Sequence, residues 1–163
     1  MRMTSITPRK NQYALRAVFE LAKHRGKGPT KISDIADAQS IPVRFLEVIL
    51  NKLKGSGLID AKRGFYGGYY LTRSPTRITV ADIMNFMQVP PKQEMCAACL
   101  AKTKCPYGNR CAFSAMWNRV NRAVLQVYTE TTIQDLLDND RQLKGKKRGS
   151  RKRPLKTRQG RSL

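Results

Sequence analysis

Apolar residues recur at helical spacing along most of this chain, interrupted once by two short strand-like runs. Ala14, Val18, Leu21 and Ala22 predict a helix from Asn11 to about His24, closed by Gly26, Gly28 and Pro29. A second, short helix is expected from Ser33, a residue suited to an N-cap, with Ile35 and Ala36 turned inward. Ser40-Ile41-Pro42 reads as a turn, and a third helix follows from Pro42 to Lys54, stopped by Gly55-Ser56-Gly57. Its apolar positions Leu46, Ile49, Leu50 and Leu53 define one face, leaving Arg44, Glu47, Asn51, Lys52 and Lys54 on more exposed ones. Leu58–Lys62 and Tyr69–Thr72 read as strands joined by the hairpin Arg63-Gly64-Phe65-Tyr66-Gly67-Gly68. Thr79-Val80-Ala81-Asp82 is a variant capping box that opens a helix carrying Ile83, Met84 and Met87. Those methionines are read as core packing rather than metal ligands, because thioethers fill irregular gaps well. Beyond Pro90-Pro91, a long helix from about Ala112 to Thr129 carries a stripe of Met116, Val120, Ala123, Val124 and Val127, with Trp117 and Tyr128 adding bulk. A last short helix begins at Thr132-Ile133-Gln134-Asp135, docked by Leu136 and Leu137.

Two short helices joined by a tight turn, the second with a polar and basic face, match a helix-turn-helix, although a generic helical bundle shares that pattern. The basic, glycine-rich hairpin directly after the second of them favours a wing. Charge sharpens the picture. The chain has 163 residues with 32 Lys plus Arg against 11 Asp plus Glu, a formal charge of +21, which points to a polyanionic partner, nucleic acid before membrane. No run of about eighteen apolar residues is present for a bilayer span. Residues 1–5 lack the apolar centre of a secretory signal, so a reducing, cytoplasmic setting is expected.

All four cysteines lie in one stretch, Cys96-x-x-Cys99-(x5)-Cys105-(x5)-Cys111. Clustered thiolates in a reducing compartment are soft metal ligands, and this spacing alone admits either a closed four-cysteine zinc site or an iron–sulfur cluster. No phosphate-binding loop, acidic pair or base near a thiol in sequence supports an enzyme. His24, the single histidine, is explained by its place at a helix C-terminus, where positive charge is favourable.

Several motifs occur together in order: Tyr13-Ala14-Leu15-Arg16-Ala17, Phe45-Leu46-Glu47, Gly57-Leu58, Arg63-Gly64-(x2)-Gly67-Gly68-Tyr69-(x)-Leu71, Ile78-Thr79-Val80-(x)-Asp82-Ile83 and Cys105-Pro106-(x4)-Cys111-(x5)-Trp117. This set, spanning residues 1 to about 139, closely resembles the IscR/NsrR-type winged helix-turn-helix regulators of the Rrf family. The resemblance implies a mainly α fold with a small β-hairpin wing and a long C-terminal dimerisation helix. It further implies a homodimer that reads a palindromic operator in double-stranded DNA, and a cysteine loop that often carries an iron–sulfur cluster, 2Fe-2S or 4Fe-4S. The x5, x5 spacing of Cys99, Cys105 and Cys111 matches the three-cysteine pattern of cluster-binding members. Histidine in some members stands where this chain has Ser114, and Cys96 is the candidate fourth ligand, with zinc as the alternative occupant. Members often carry Arg-Gly-Pro-Gly-Gly-Gly in the wing; Phe65-Tyr66 replaces the Pro-Gly pair here and makes the wing bulkier.

The resulting expectations are specific. Residues 1–88 form a DNA-binding domain, 89–112 the cluster-binding loop, 113–140 a dimerisation helix with a docking helix, and 141–163 a disordered basic tail. Arg44 and Glu47 are expected at base edges in the major groove, with Glu47 accepting from cytosine N4. Arg63 is expected in the minor groove, and Lys52 and Lys54 on phosphates. Phe45, Asn51, Tyr66 and Gly67 complete the DNA-facing set. Met116, Trp117, Val120, Val124 and Val127 are the dimerisation residues. Residues 141–163 hold eleven Lys or Arg and no acid, so they are expected to act as a nonspecific DNA arm.

Overall fold

The computed structural model describes residues 8–87, 107 and 111–150, with side chains described as far as residue 145. In chain order these form α1 (Arg9–Lys23), α2 (Ile32–Gln39), α3 (Val43–Lys54), strands β1 (Ile59–Lys62) and β2 (Gly68–Leu71), a 3-10 turn (Pro75–Arg77), α4 (Val80–Met87), α5 (Ser114–Glu130) and α6 (Ile133–Ser150). The fold is mainly helical with a two-stranded antiparallel wing.

α1 is the centre of the molecule because its apolar side chains are spread over more than one face. Ala14, Ala17, Val18, Leu21 and Ala22 are all buried, and α2, α3, α4, β2 and α6 pack around them. The face predicted for α3 is the buried one, with Leu46, Ile49, Leu50 and Leu53 inside the core. Met84 and Met87 are buried, as the gap-filling reading expects. Burying each such aliphatic side chain is worth about 1.5–3 kcal/mol, so this contiguous cluster is what holds the helices together.

The turn between α2 and α3 is tight. Ser40 takes a left-handed conformation (φ 49°), and the Ile41 amide donates to the Ala36 carbonyl at 2.9 Å. α2 starts at Ile32 with Lys31 before it, so Ser33 is not its N-cap. Ser33 lies in the first turn and its hydroxyl donates to the Asp34 carboxylate at 3.1 Å.

β1 and β2 pair from Ile59↔Leu71 to Lys62↔Gly68, and the wing is stitched to the helical body by a bridge between Thr30 and Tyr69, with both amide–carbonyl bonds at 2.8 Å. Gly68 is required at that junction, because a Cβ there would lie 2.4 Å from the Thr30 carbonyl oxygen.

Two matching caps join the last helices to the winged module. Thr79 and Asp82 exchange backbone and side-chain hydrogen bonds at 2.8 and 3.1 Å, and Thr132 and Asp135 repeat the arrangement at the same distances. The Thr132 hydroxyl and amide hold the exposed Asp135 carboxyl below its ordinary range. The two caps face each other: Val80 N donates to Thr131 O and Ile133 N to Ile78 O, both at 2.9 Å. Buried Ile133 and Leu137, with half-buried Leu136, then dock α6.

α6 corrects the expectation of a short docking helix followed by a disordered tail from residue 141. It continues to Ser150. Lys, Arg and Gln are good helix formers, Arg141 and Lys144 pair back to Asp138 and Asp140 at 3.1 and 2.6 Å, and cations near a helix C-terminus are favoured by its dipole. Residues 151–163 lie outside the described residues.

Candidate nucleic-acid interface and thiol loop

α3 buries one face and presents another to solvent. Arg44, Phe45, Glu47, Asn51, Lys52 and Lys54 are all exposed, as the sequence places them, and Val43 and Val48 join them. Phe45 keeps 64% of its surface exposed. Val43 and Val48 were missed as surface residues, although both fall outside the Leu46–Leu53 face and their spacing alone could have found them. The result is a mixed helical surface of apolar side chains, cations, an amide and one carboxylate. Such side chains have the chemistry to read base edges, since apolar groups can meet thymine methyls and a carboxylate can accept from cytosine N4.

Lys52 departs from the expected phosphate role in one respect. Its ammonium donates to the Met87 carbonyl at 3.3 Å, closing the C-terminal end of α4. Arg44 and Lys54 make no ion pair among the described residues and remain available to an anion.

The wing stands beside this helix. The Tyr69 phenol on β2 is held above its ordinary pKa by burial and then by the Glu47 carboxylate on α3, which places recognition helix and wing within electrostatic reach of each other. Arg63, Phe65 and Tyr66 are exposed at the hairpin tip. Gly67 shapes that tip: its amide donates to Gly64 O at 2.9 Å, and a Cβ on it would lie 2.3 Å from Lys62 O. Gly67 thus shapes the hairpin tip on which Arg63, Phe65 and Tyr66 are exposed.

One polar network fixes the helix-turn-helix against α1. Glu20, 2% exposed, receives Gln39 Nε2 at 2.5 Å and Lys23 Nζ at 2.8 Å, and its other oxygen lies 3.2 Å from His24 Nε2. Gln39 is the last residue of α2, and Arg16 on α1 donates to both its side-chain and backbone oxygens. Burial alone would raise the Glu20 pKa, but the hydrogen bonds from Lys23, Gln39 and His24 outweigh it and hold the carboxyl below its ordinary range. His24 is thus a structural partner at the end of α1.

Of the thiol loop, Cys111 is described, and Cys96, Cys99 and Cys105 lie outside the described residues. Cys111 is a half-buried free thiol at the root of α5. Ser114 donates both its amide and its hydroxyl to the Cys111 carbonyl, at 3.2 and 2.9 Å, so it secures the backbone at the loop's exit. Tyr107 packs edge-to-face on Phe113 at 5.7 Å, a second tie between loop and helix. A soft thiolate suits iron–sulfur clusters and zinc alike.

α5 packs on α4, yet none of its seventeen residues is buried. Trp117, Val120 and Val124 are half-buried, and Met116 and Val127 remain 47% and 59% exposed. Leu125, exposed beside them, was not anticipated. No helix among the described residues is long and apolar enough to cross a membrane.

Comparison with known proteins agrees with this geometry. The family profile described as "Rrf2: Iron-dependent Transcriptional regulator" matches residues 7–139. The chain is 30% identical over 164 residues to the HTH-type transcriptional regulator IscR of Xenorhabdus nematophila, covering 96% of each protein. It is 32% identical over 127 residues to the HTH-type transcriptional regulator CymR of Bacillus subtilis, covering 78% of this chain and 86% of that one. Among solved structures, T. potens IscR superposes with a TM-score of 0.69 at 28% identity, covering 85% of this chain and 90% of that one. CymR, the global cysteine regulator of B. subtilis, superposes at 0.68 and 31% identity, covering 84% and 98%.

Proposed function

Because the chain belongs to the Rrf2 family of DNA-binding transcriptional regulators, we propose that it works as a homodimer on a palindromic operator and reports the state of an iron–sulfur cluster held by its cysteine loop. The observation that carries the DNA-reading part is the exposed face of α3 beside a basic wing. Arg44, Phe45, Glu47, Val48 and Asn51 are assigned to base edges, Lys54 to phosphates and Arg63 to the minor groove.

The dimer rests on α5. A helix of seventeen residues, about 25 Å long, that buries no residue against its own chain leaves an apolar stripe for a second copy to cover. Met116, Trp117, Val120, Val124 and Val127 are its contact residues. Two-fold symmetry would then set two α3 helices about one turn of DNA apart.

Cys99, Cys105 and Cys111, with Cys96 as the fourth thiolate, are assigned to the cluster. A bound cluster would supply a redox- and iron-sensitive group at the root of α5. α5 is tied to the loop at Cys111 and to the winged module through Thr131, so it is the element through which loop status reaches the reading heads. The regulator takes its place in the cell wherever it meets DNA, and the cytoplasm is the assigned compartment.

The test is iron, zinc and acid-labile sulfide analysis of protein purified without oxygen, followed by operator binding with and without the bound group. Iron with sulfide, and unequal operator affinity in the two forms, is the expected result. Zinc alone reduces the loop to a structural staple, and equal affinities remove the sensing role.

A further inference from the structure

The wing tip has an unusual composition for a solvent-exposed hairpin. Phe65 and Tyr66 expose 82% and 83% of their surface, more than any other large hydrophobic among the described residues. Their rings meet edge-to-face, 5.1 Å between centroids and 87° between planes, a favoured aromatic geometry. The Lys31 ammonium lies 5.4 Å from the Phe65 centroid, so a cation from the start of α2 braces the same ring.

The backbone beneath them is not free to move the rings inward. Gly64 is in a left-handed conformation (φ 108°), Gly67 N closes the loop onto Gly64 O, and Gly67 has no room for a side chain. Exposure of the two rings is therefore built into the loop. Each ring left in water forgoes a substantial burial free energy, and such a feature is retained where a partner covers it.

Charge identifies the partner. Lys31 lies against the Phe65 ring, and Lys62 and Arg63 precede the rings in the same hairpin, all exposed. The one carboxylate of the hairpin, Asp60, lies back along β1 and is engaged by the Ala61 amide at 2.7 Å and the Tyr70 hydroxyl at 3.4 Å. An apolar point inside a cationic collar fits a duplex groove: phosphates meet the collar and base faces meet the rings.

We infer that Phe65 is a wedge that enters the minor groove beside the α3 contact, partly unstacks one base step in each half-site and bends the operator. This rests on the DNA-reading assignment above and adds a mechanism of sequence choice to it. Proteins that insert apolar side chains between base pairs kink the duplex, and flexible pyrimidine–purine steps yield most readily. Phe65 has no polar atom to desolvate and leads. Tyr66 supports it, with a hydroxyl able to donate to the adenine N3 and thymine O2 acceptors of the groove floor. The wing thereby selects a deformable step that no side chain reads by hydrogen bonding.

The test uses the full-length protein and a duplex that it selects itself from a random-sequence library. 2-Aminopurine placed at successive positions flanking the α3 footprint reports unstacking, and energy transfer between end labels reports bending. Wild-type protein is expected to raise 2-aminopurine fluorescence at one step per half-site and to shorten the end-to-end distance. Phe65→Ala should abolish both signals and weaken binding about tenfold, the scale of one base–aromatic stacking interaction, with an unchanged salt slope. Phe65→Leu should keep both signals, since an aliphatic wedge still unstacks. The ring is exposed, so neither variant should alter the melting temperature.

Wild-type protein that binds its selected duplex with no fluorescence change, or Phe65→Ala protein that bends DNA as before, overturns the wedge and leaves the DNA-reading assignment standing. A change in oligomeric state on Phe65→Ala would make the tip a subunit contact and overturn it too. Failure of the wild type to select any duplex would refute both readings.

Discussion

Replacing Glu20 with Gln tests whether the helix-turn-helix is held in place by charge. The substitution keeps the side chain's volume in a site that is 2% exposed, so the core does not change. It removes the carboxylate's charge, so the 2.5 Å bond from Gln39 becomes a neutral one and the 2.8 Å ion pair with Lys23 becomes an ammonium–amide hydrogen bond. Hydrogen bonds to a charged group contribute about 1.5–3 kcal/mol against about 0.5–1.5 kcal/mol for neutral ones, so the part-buried Gln39 bond loses about 1 kcal/mol. Lys23 remains partly solvated and adds about 0.2–1 kcal/mol. The total, about 1.2–2 kcal/mol, corresponds to a fall of about 2–8 °C in melting temperature for a chain of this size. The pH dependence supplies the sharper check. The folded-state pKa of Glu20 lies below its ordinary 4.5, so its contribution is present in full above that value and is lost as pH falls through the folded value. Melting of the two proteins from pH 7 to pH 3 should therefore show a gap that closes in the acid range. Equal stability at pH 7, or a gap that stays constant down to pH 3, would refute the assignment of Glu20 as an ionised anchor of α2.

Gly67→Ala should leave the helical core intact but distort the wing, because the new methyl meets backbone oxygen at 2.3 Å; circular dichroism near wild type with operator affinity reduced at least tenfold is expected, and wild-type affinity would remove the wing from the interface. Val127→Glu places a charge in the exposed stripe of α5 and should shift the protein from dimer to monomer in analytical ultracentrifugation; an unchanged dimer means that α5 is not the interface. Truncation after Ser150 removes Lys or Arg at 151, 152, 153, 156, 158 and 161. It should weaken binding to all duplexes alike and flatten the salt dependence by about 0.9 for each phosphate no longer neutralised, whereas selective weakening on one operator would make the segment a base reader.

The helix-turn-helix and wing were legible because their determinants are local. The spacing of Leu46, Ile49, Leu50 and Leu53 states which side of α3 is core, and Gly57, Gly64 and Gly67 state where the chain must turn. The two threonine–aspartate caps were equally readable, since each hydrogen bond joins residues three apart. What stayed hidden depends on distant partners. Glu20 looks like an ordinary solvated acid on α1 until Gln39, nineteen residues on, is packed above it. Lys52 looks like a free phosphate contact until the end of α4 arrives beneath it, thirty-five residues later. Neither pairing leaves a periodic trace.

The extent of α6 went unread for a different reason. A run of Lys and Arg with scattered glycines signals an inability to build a core, and that inference is sound for an isolated segment. α6 needs no core of its own beyond residue 140, because Ile133 and Leu137 have already nucleated a helix against α1. Nucleation is the costly step and each added residue gains a backbone bond, so a cationic sequence of good helix formers propagates from a docked start. Asp138 and Asp140 then hold Arg141 and Lys144 one turn further on. Charge composition describes what a segment can bury, and the element preceding it decides whether it must bury anything to be ordered.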